Sequence, residues 1–146
     1  MEKVLFICKS NVGRSQMAEA LFNSMAKGKA IAISAGVDPG AYEGKKIADI
    51  EIAKNTVVAS MKDVGIDVSN CVSKKITKVM IDESNIVVSM VKKEQLPEFA
   101  RGSKKVTYWD IPNPKEKTYE FHVKVRSLIE QKVRELLDKL NKKTTV

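Results

Sequence analysis

The feature that most constrains this chain is a strand-length apolar run that ends in a cysteine and passes at once into a short polar loop: "VLFIC" at 4–8, then "KSNVGRS" at 9–15. An uninterrupted apolar run of this length fits a strand covered on both faces, as in a parallel sheet. From Ser15, "SQMAEALFNSMA" places Met17, Ala18, Leu21, Phe22 and Met25 three and four residues apart, the apolar stripe of an amphipathic helix. The loop between strand and helix therefore lies at the carboxyl end of a strand, where parallel sheets bind their ligands. Its N–H groups can turn inward as an anion nest, and the helix start adds unsatisfied N–H groups and the positive end of a dipole. Gly13 is expected to ease the turn, and Asn11 tolerates a left-handed conformation. Arg14 offers a planar fork matched to two oxygens of a tetrahedral oxyanion. Lys9, Ser10, Asn11, Val12, Gly13, Arg14 and Ser15 are thus the expected phosphate-binding residues.

A cysteine on the floor of such a cradle turns binding into chemistry. A thiol beside a helix N-terminus and a cation is acidified, and its thiolate is a nucleophile at neutral pH. Cys8 is the expected nucleophile and Arg14 its charge clamp. Ser15 can hydrogen-bond the sulfur.

The remaining pattern alternates strands with helices. "AIAISAG" at 30–36, "NIVVSM" at 85–90 and "KKVTYW" at 104–109 read as strands. A helix is expected from Ala53 to Val64, with Val57, Val58 and Met61 inward, stopping at Gly65. A long helix is expected from Thr118 to Leu140, with Phe121, Val125, Leu128, Ile129, Val133, Leu136, Leu137 and Leu140 on one apolar face. Alternation of this kind predicts parallel βαβ units in a three-layer α/β/α sandwich, a single domain over 1–146.

Composition narrows the partners. The chain of 146 residues carries a net charge of +8, but its lysines are scattered without interleaved aromatics, so a solvated surface that draws in anions fits better than nucleic-acid binding. No apolar stretch approaches the roughly 18 residues a membrane span needs. Two cysteines, Cys8 and Cys71, fit a reducing compartment, and a cytoplasmic protein is expected. The spacings of a metal site are missing, and no metal or organic cofactor is expected. His122 is the single histidine. Beside Lys124 and Arg126 on the last helix, it reads as a surface residue.

The run "VLFICKSNVGRSQMAEALF" resembles the opening strand, phosphate loop and first helix of the low-molecular-weight protein-tyrosine-phosphatase family, which includes thioredoxin-coupled arsenate reductases. "SAG" at 34–36, "GIDVS" at 65–69, "IVVSM" at 86–90 and "WDIPNP" at 109–114 follow in the family's order, while 37–55 match least. The resemblance implies a four-stranded parallel sheet and a phosphocysteine on Cys8, with Arg14 on the equatorial oxygens and Asn11 and Ser15 shaping the loop. It further implies hydrolysis of phosphate monoesters on a phosphorylated protein or a small aryl phosphate, with inorganic phosphate or other oxyanions as ligands. An apolar residue at Val12 goes with phosphotyrosine preference in the family.

Three departures qualify this. Gly13 stands where the family commonly has a second cysteine. The arsenate reductases' relay cysteines are represented at most by Cys71, since Val91 follows "IVVSM"; Cys71 either resolves a disulfide with Cys8 or is a bystander. Asn113 precedes Pro114 where the family has its general-acid aspartate. Either Asp110 has taken over that role or it is a turn carboxylate, and Glu116 is a further, weaker substitute. The alternatives to a tyrosine phosphatase are an arsenate reductase of the same fold, using Cys71 or an external thiol, and a slow or non-catalytic oxyanion binder. Tyr42, Tyr108, Trp109 and Tyr119 either wall the pocket or pack the core.

Overall fold

The computed structural model describes residues 1–144; the expected domain end at Val146 lies outside them. Four parallel strands, β1 (Glu2–Cys8), β2 (Ala30–Gly36), β3 (Ile86–Ser89) and β4 (Val106–Tyr108), form one sheet in the order β2-β1-β3-β4. β1 is central, and alternation along it explains why the whole run from Val4 to Cys8 is apolar. Val4, Phe6 and Cys8 face a core shared with Met17, Leu21 and Phe22 of α1 (Arg14–Ala26) and with Val125, Ile129 and Val133 of α6 (Tyr119–Thr144). Leu5 and Ile7 face the other way, onto Ile81 of α4 (Lys78–Glu83) and Ala100 of α5 (Glu98–Arg101). The expected α/β fold with a four-stranded parallel sheet is the one observed. Each fully buried large side chain in it, such as Phe6 or Phe22, contributes about 1.5–3 kcal/mol of burial.

The segment expected as one helix from Ala53 is instead α2 (Glu51–Ala53), a wide π-type turn over Lys54–Val58, and α3 (Ala59–Lys62). Ala53, Val57 and Met61 are buried through it, whereas Val58 is only half-buried. Gly65 ends the segment with φ 79°, a conformation that suits glycine. On α6, Leu128 is 45% exposed rather than inward, because it falls off the stripe defined by Val125, Ile129 and Val133. No described helix is long and apolar enough to cross a membrane.

Because all four strands are parallel, their carboxyl ends converge. Cys8 pairs in register with Gly36, and Ile7 with Ser89, so the loop after β1 sits between the ends of β2 and β3.

Candidate active site

Cys8 is 3% exposed at the end of β1, and its Sγ lies 2.9 Å from Ser15 Oγ. Asn11 sets the direction of that contact. Its Nδ2 donates to Ser15 Oγ at 2.7 Å and to Ser34 Oγ at 3.0 Å. Its Oδ1 accepts from Lys74 N–H at 2.9 Å and from Gln16 Nε2 at 3.1 Å. Ser15 Oγ therefore receives a hydrogen from Asn11 and turns its own toward sulfur. Ser34 passes its hydrogen on to Glu19 Oε1 at 2.9 Å. A fully buried amide thus orients the hydroxyl that faces the Cys8 sulfur.

Asn11 also takes the left-handed turn of the loop, at φ 57°. Gly13 has φ −108° and ψ −92°, outside the helical and extended regions, and a Cβ there would meet Pro114 Cγ at 3.7 Å, an ordinary contact. The glycine that the geometry demands is Gly36. A Cβ on it would lie 2.7 Å from the Lys9 carbonyl oxygen and 2.8 Å from Asn11 N, both backbone atoms.

Arg14 opens α1 and is 7% exposed. Its Nη1 donates to the carbonyls of Met90 at 2.7 Å and Ile111 at 2.9 Å. The two carbonyls occupy both Nη1 hydrogens, while Nε and Nη2 carry no bond to the described residues and remain for an oxyanion. Burial pulls the guanidinium below its ordinary pKa, and the nearby Cys8 charge opposes that pull.

A cleft opens over this loop. Cys8, Lys9, Ser10, Val12, Gly13 and Arg14 form its floor, with Asn11 and Ser15 buried behind them. Tyr42, Ile52 and Val57 wall one side, and Asn113, Lys115 and Glu116 contribute from the segment before α6. Asn113 accepts a hydrogen bond from Lys115 N–H at 3.1 Å. Asp110 is exposed and lines a neighbouring hollow with Lys9, Arg14, Asn113, Tyr108 and Trp109, not the cleft that holds Cys8. Of the four aromatics, Tyr42 walls the cleft, with Lys115 Nζ 5.8 Å from its ring centre. Trp109 packs on Phe6 at 5.4 Å between ring centres, and Tyr119 lines neither space.

His122 corrects the sequence reading. It is 4% exposed, not on the surface, and lines the cleft. Its signal was present in the spacing: it stands three, seven and eleven residues before Val125, Ile129 and Val133, on the buried stripe of α6. Its flanking Lys124 and Arg126 point elsewhere, Arg126 donating to the Ser60 carbonyl at 2.5 Å.

Cys71 is a half-buried free thiol that does not line the cleft. Burial, then Glu19, pushes its pKa up, with Lys74 opposing.

A buried thiol at a strand end, held by a hydroxyl and placed beside an arginine with two free donor groups, is equipped to attack tetrahedral oxyanions through sulfur. The chain belongs to the low molecular weight phosphotyrosine protein phosphatase family, whose model it matches over residues 3–146. It is 28% identical to the glutaredoxin arsenate reductase of Synechocystis sp., over 97% of this chain and 100% of that protein. With an arsenate reductase of Staphylococcus aureus it shares 31% identity over 86% of this chain and 88% of that one. Among solved structures, the low molecular weight protein tyrosine phosphatase from T. tengcongensis matches with a TM-score of 0.78 at 27% identity, covering 95% and 99% of the two chains.

Proposed function

We propose that this chain is an arsenate reductase that uses Cys8 as nucleophile and an external low-molecular-weight thiol as reductant. The observation that carries the reading is the cleft over Cys8, which Asn113 lines and Asp110 does not. The family's hydrolysis of aryl esters relies on a carboxylic acid at the position of Asn113, and an amide cannot take over that role. Arsenate at neutral pH brings a hydroxyl proton of its own, so it depends less on a carboxylic acid in the wall. The named arsenate reductases of similar sequence support the same choice.

Cys8 thiolate attacks arsenic, an S–As bond forms, and one As–O bond breaks with its electron pair on the departing oxygen. An external thiolate then attacks Cys8 Sγ. The new S–S bond forms as the S–As pair passes to arsenic, reducing it from As(V) to As(III). A second external thiol releases Cys8. The external route is preferred over Cys71 because that thiol lies outside the cleft and its thiolate is disfavoured by burial.

A second reading, phosphatase activity toward aryl phosphates, is favoured by the apolar wall of Val12, Ile52, Val57 and Tyr42. The test is arsenate-dependent oxidation of dithiothreitol alongside hydrolysis of para-nitrophenyl phosphate. Oxidation that is lost in Cys8→Ser and kept in Cys71→Ser supports the reductase. Ester hydrolysis without arsenate-dependent oxidation overturns it in favour of the phosphatase.

A further inference from the structure

We propose that His122 is the proton donor to the oxygen that leaves when Cys8 attacks, an assignment that rests on the reading of Cys8 as nucleophile. Four observations converge on it. The ring is 4% exposed yet contributes to the wall of the cleft that has Cys8 on its floor. Its Nδ1 lies 2.8 Å from the Thr118 carbonyl oxygen, which can only accept, so Nδ1 carries hydrogen in either charge state. Nε2 has no hydrogen-bond partner among the described residues. The only sealed, unpartnered side-chain oxygen or nitrogen among the described residues is Gln16 Oε1, so His122 Nε2 is not sealed, and the ring it belongs to lines the cleft.

The tautomer follows from this geometry. The neutral ring presents an Nε2 lone pair to the cleft, and the imidazolium presents an N–H there. Attack by Cys8 proceeds in line, so the departing oxygen lies on the side of the arsenic or phosphorus away from the floor, toward the walls. As the bond to that oxygen breaks, its electron pair takes the proton from Nε2. The oxygen departs as water from arsenate or as an alcohol from an ester, and His122 is left neutral. No redox change occurs in this step.

The charged and titratable groups that line the cleft with the ring come from several elements: Cys8 from β1, Lys9 and Arg14 from the loop and the start of α1, Tyr42 from the stretch after β2, and Lys115 and Glu116 from the segment before α6. On α6 itself, Arg126 is one turn further on and is engaged with Ser60. Cys8 thiolate and a bound dianion favour the imidazolium; Lys9, Arg14, Lys115 and the positive helix start oppose it. Asn113 leaves the proton work to a different side chain, and the imidazole is the neighbour with a proton to exchange near neutral pH.

A single histidine in the chain makes the test direct, because its ring signals in an NMR spectrum belong to no other residue. Inorganic phosphate is the probe. At saturation the Cε1–H resonance is expected to move toward the imidazolium position while the amides of Ser10–Arg14 shift. If the amides shift and the ring does not, the proton-donor role is overturned and the oxyanion site stands. If neither responds, the oxyanion reading itself fails, and this inference with it. In parallel, His122→Gln is expected to bind phosphate more weakly, because it lacks the cation that the bound dianion favours, and to lose about 10²-fold or more in kcat/KM for arsenate-dependent dithiothreitol oxidation, a larger effect than that on phosphate affinity. The alkaline fall in the wild-type pH profile should be missing from the variant. Wild-type kcat/KM and pH profile in His122→Gln would overturn the proposal, and if that variant does not fold, the wild-type NMR experiment decides.

Discussion

Ser15 Oγ and Cys8 Sγ lie 2.9 Å apart, and the hydrogen between them belongs to serine, because Asn11 Nδ2 already donates to the same oxygen from 2.7 Å. A hydrogen bond to a charged group is worth about 1.5–3 kcal/mol, or roughly 10- to 100-fold in rate. Ser15→Ala is accordingly expected to lower kcat/KM by about that factor, with little effect on phosphate affinity. Steady-state kinetics beside a phosphate titration separate the two.

Gly36→Ala is expected to damage the site without touching a functional side chain. The added Cβ would collide with backbone of the loop, at Lys9 O and Asn11 N, and backbone cannot swing aside as a flexible side chain can. Overpacking of this kind costs about 1–3 kcal/mol. Denaturant unfolding should show that loss, and phosphate affinity should fall with it as the loop opens.

Asn113→Asp introduces a carboxyl into the wall of the cleft that holds Cys8. Hydrolysis of aryl phosphates with poor leaving groups should rise, by up to about 10²-fold, while activated esters change little. Asp110→Asn should leave both unchanged, since Asp110 lines the neighbouring hollow. Rates across a leaving-group series check both variants.

Cys71 provides a pH test. Its raised pKa leaves less thiolate at any given pH than an ordinary cysteine has. Iodoacetamide should therefore label Cys71 slowly at neutral pH, with a rate that climbs into a more alkaline range than that of a free thiol. Mass spectrometry of digested protein reads the site.

Asp67 provides a second pH test through stability. Hydrogen bonds from the Ser69 hydroxyl and N–H hold its carboxyl below the usual range. A folded pKa lower than the unfolded one means the unfolded state binds the proton more readily. The stabilisation is thus complete above the unfolded value and disappears as pH falls through the folded one. Asp67→Ala should lower Tm at neutral pH, and the difference from wild type should close in strong acid.

Much of this was legible in the primary structure, for identifiable reasons. β1 could be read because burial on both faces leaves a mark at every position from Val4 to Cys8. The loop could be read because Asn11, Arg14 and Ser15 each do through a side chain what their residue type is suited to do. The π-type turn was invisible, since Ala53, Val57 and Met61 keep a spacing of four that an ordinary helix would also give. Gly36 hid its importance because the close approach it permits is between two segments distant in sequence. His122 was misread from its charged neighbours when the apolar residues a turn or more away were the better guide. Arg14's partners, the carbonyls of Met90 and Ile111, are backbone atoms and have no residue-type signature.

Those two carbonyls impose an order in time on the chain. Arg14 is bound to acceptors 76 and 97 residues further along, so the clamp beside Cys8 cannot be set until three-quarters of the protein has been made and folded. A nascent or truncated chain that stops before Ile111 carries Cys8 without one of the two carbonyls that hold Arg14 beside it. Competence therefore arrives late and all together, and a fragment that retains every residue of the loop remains a reactive thiol without an enzyme around it.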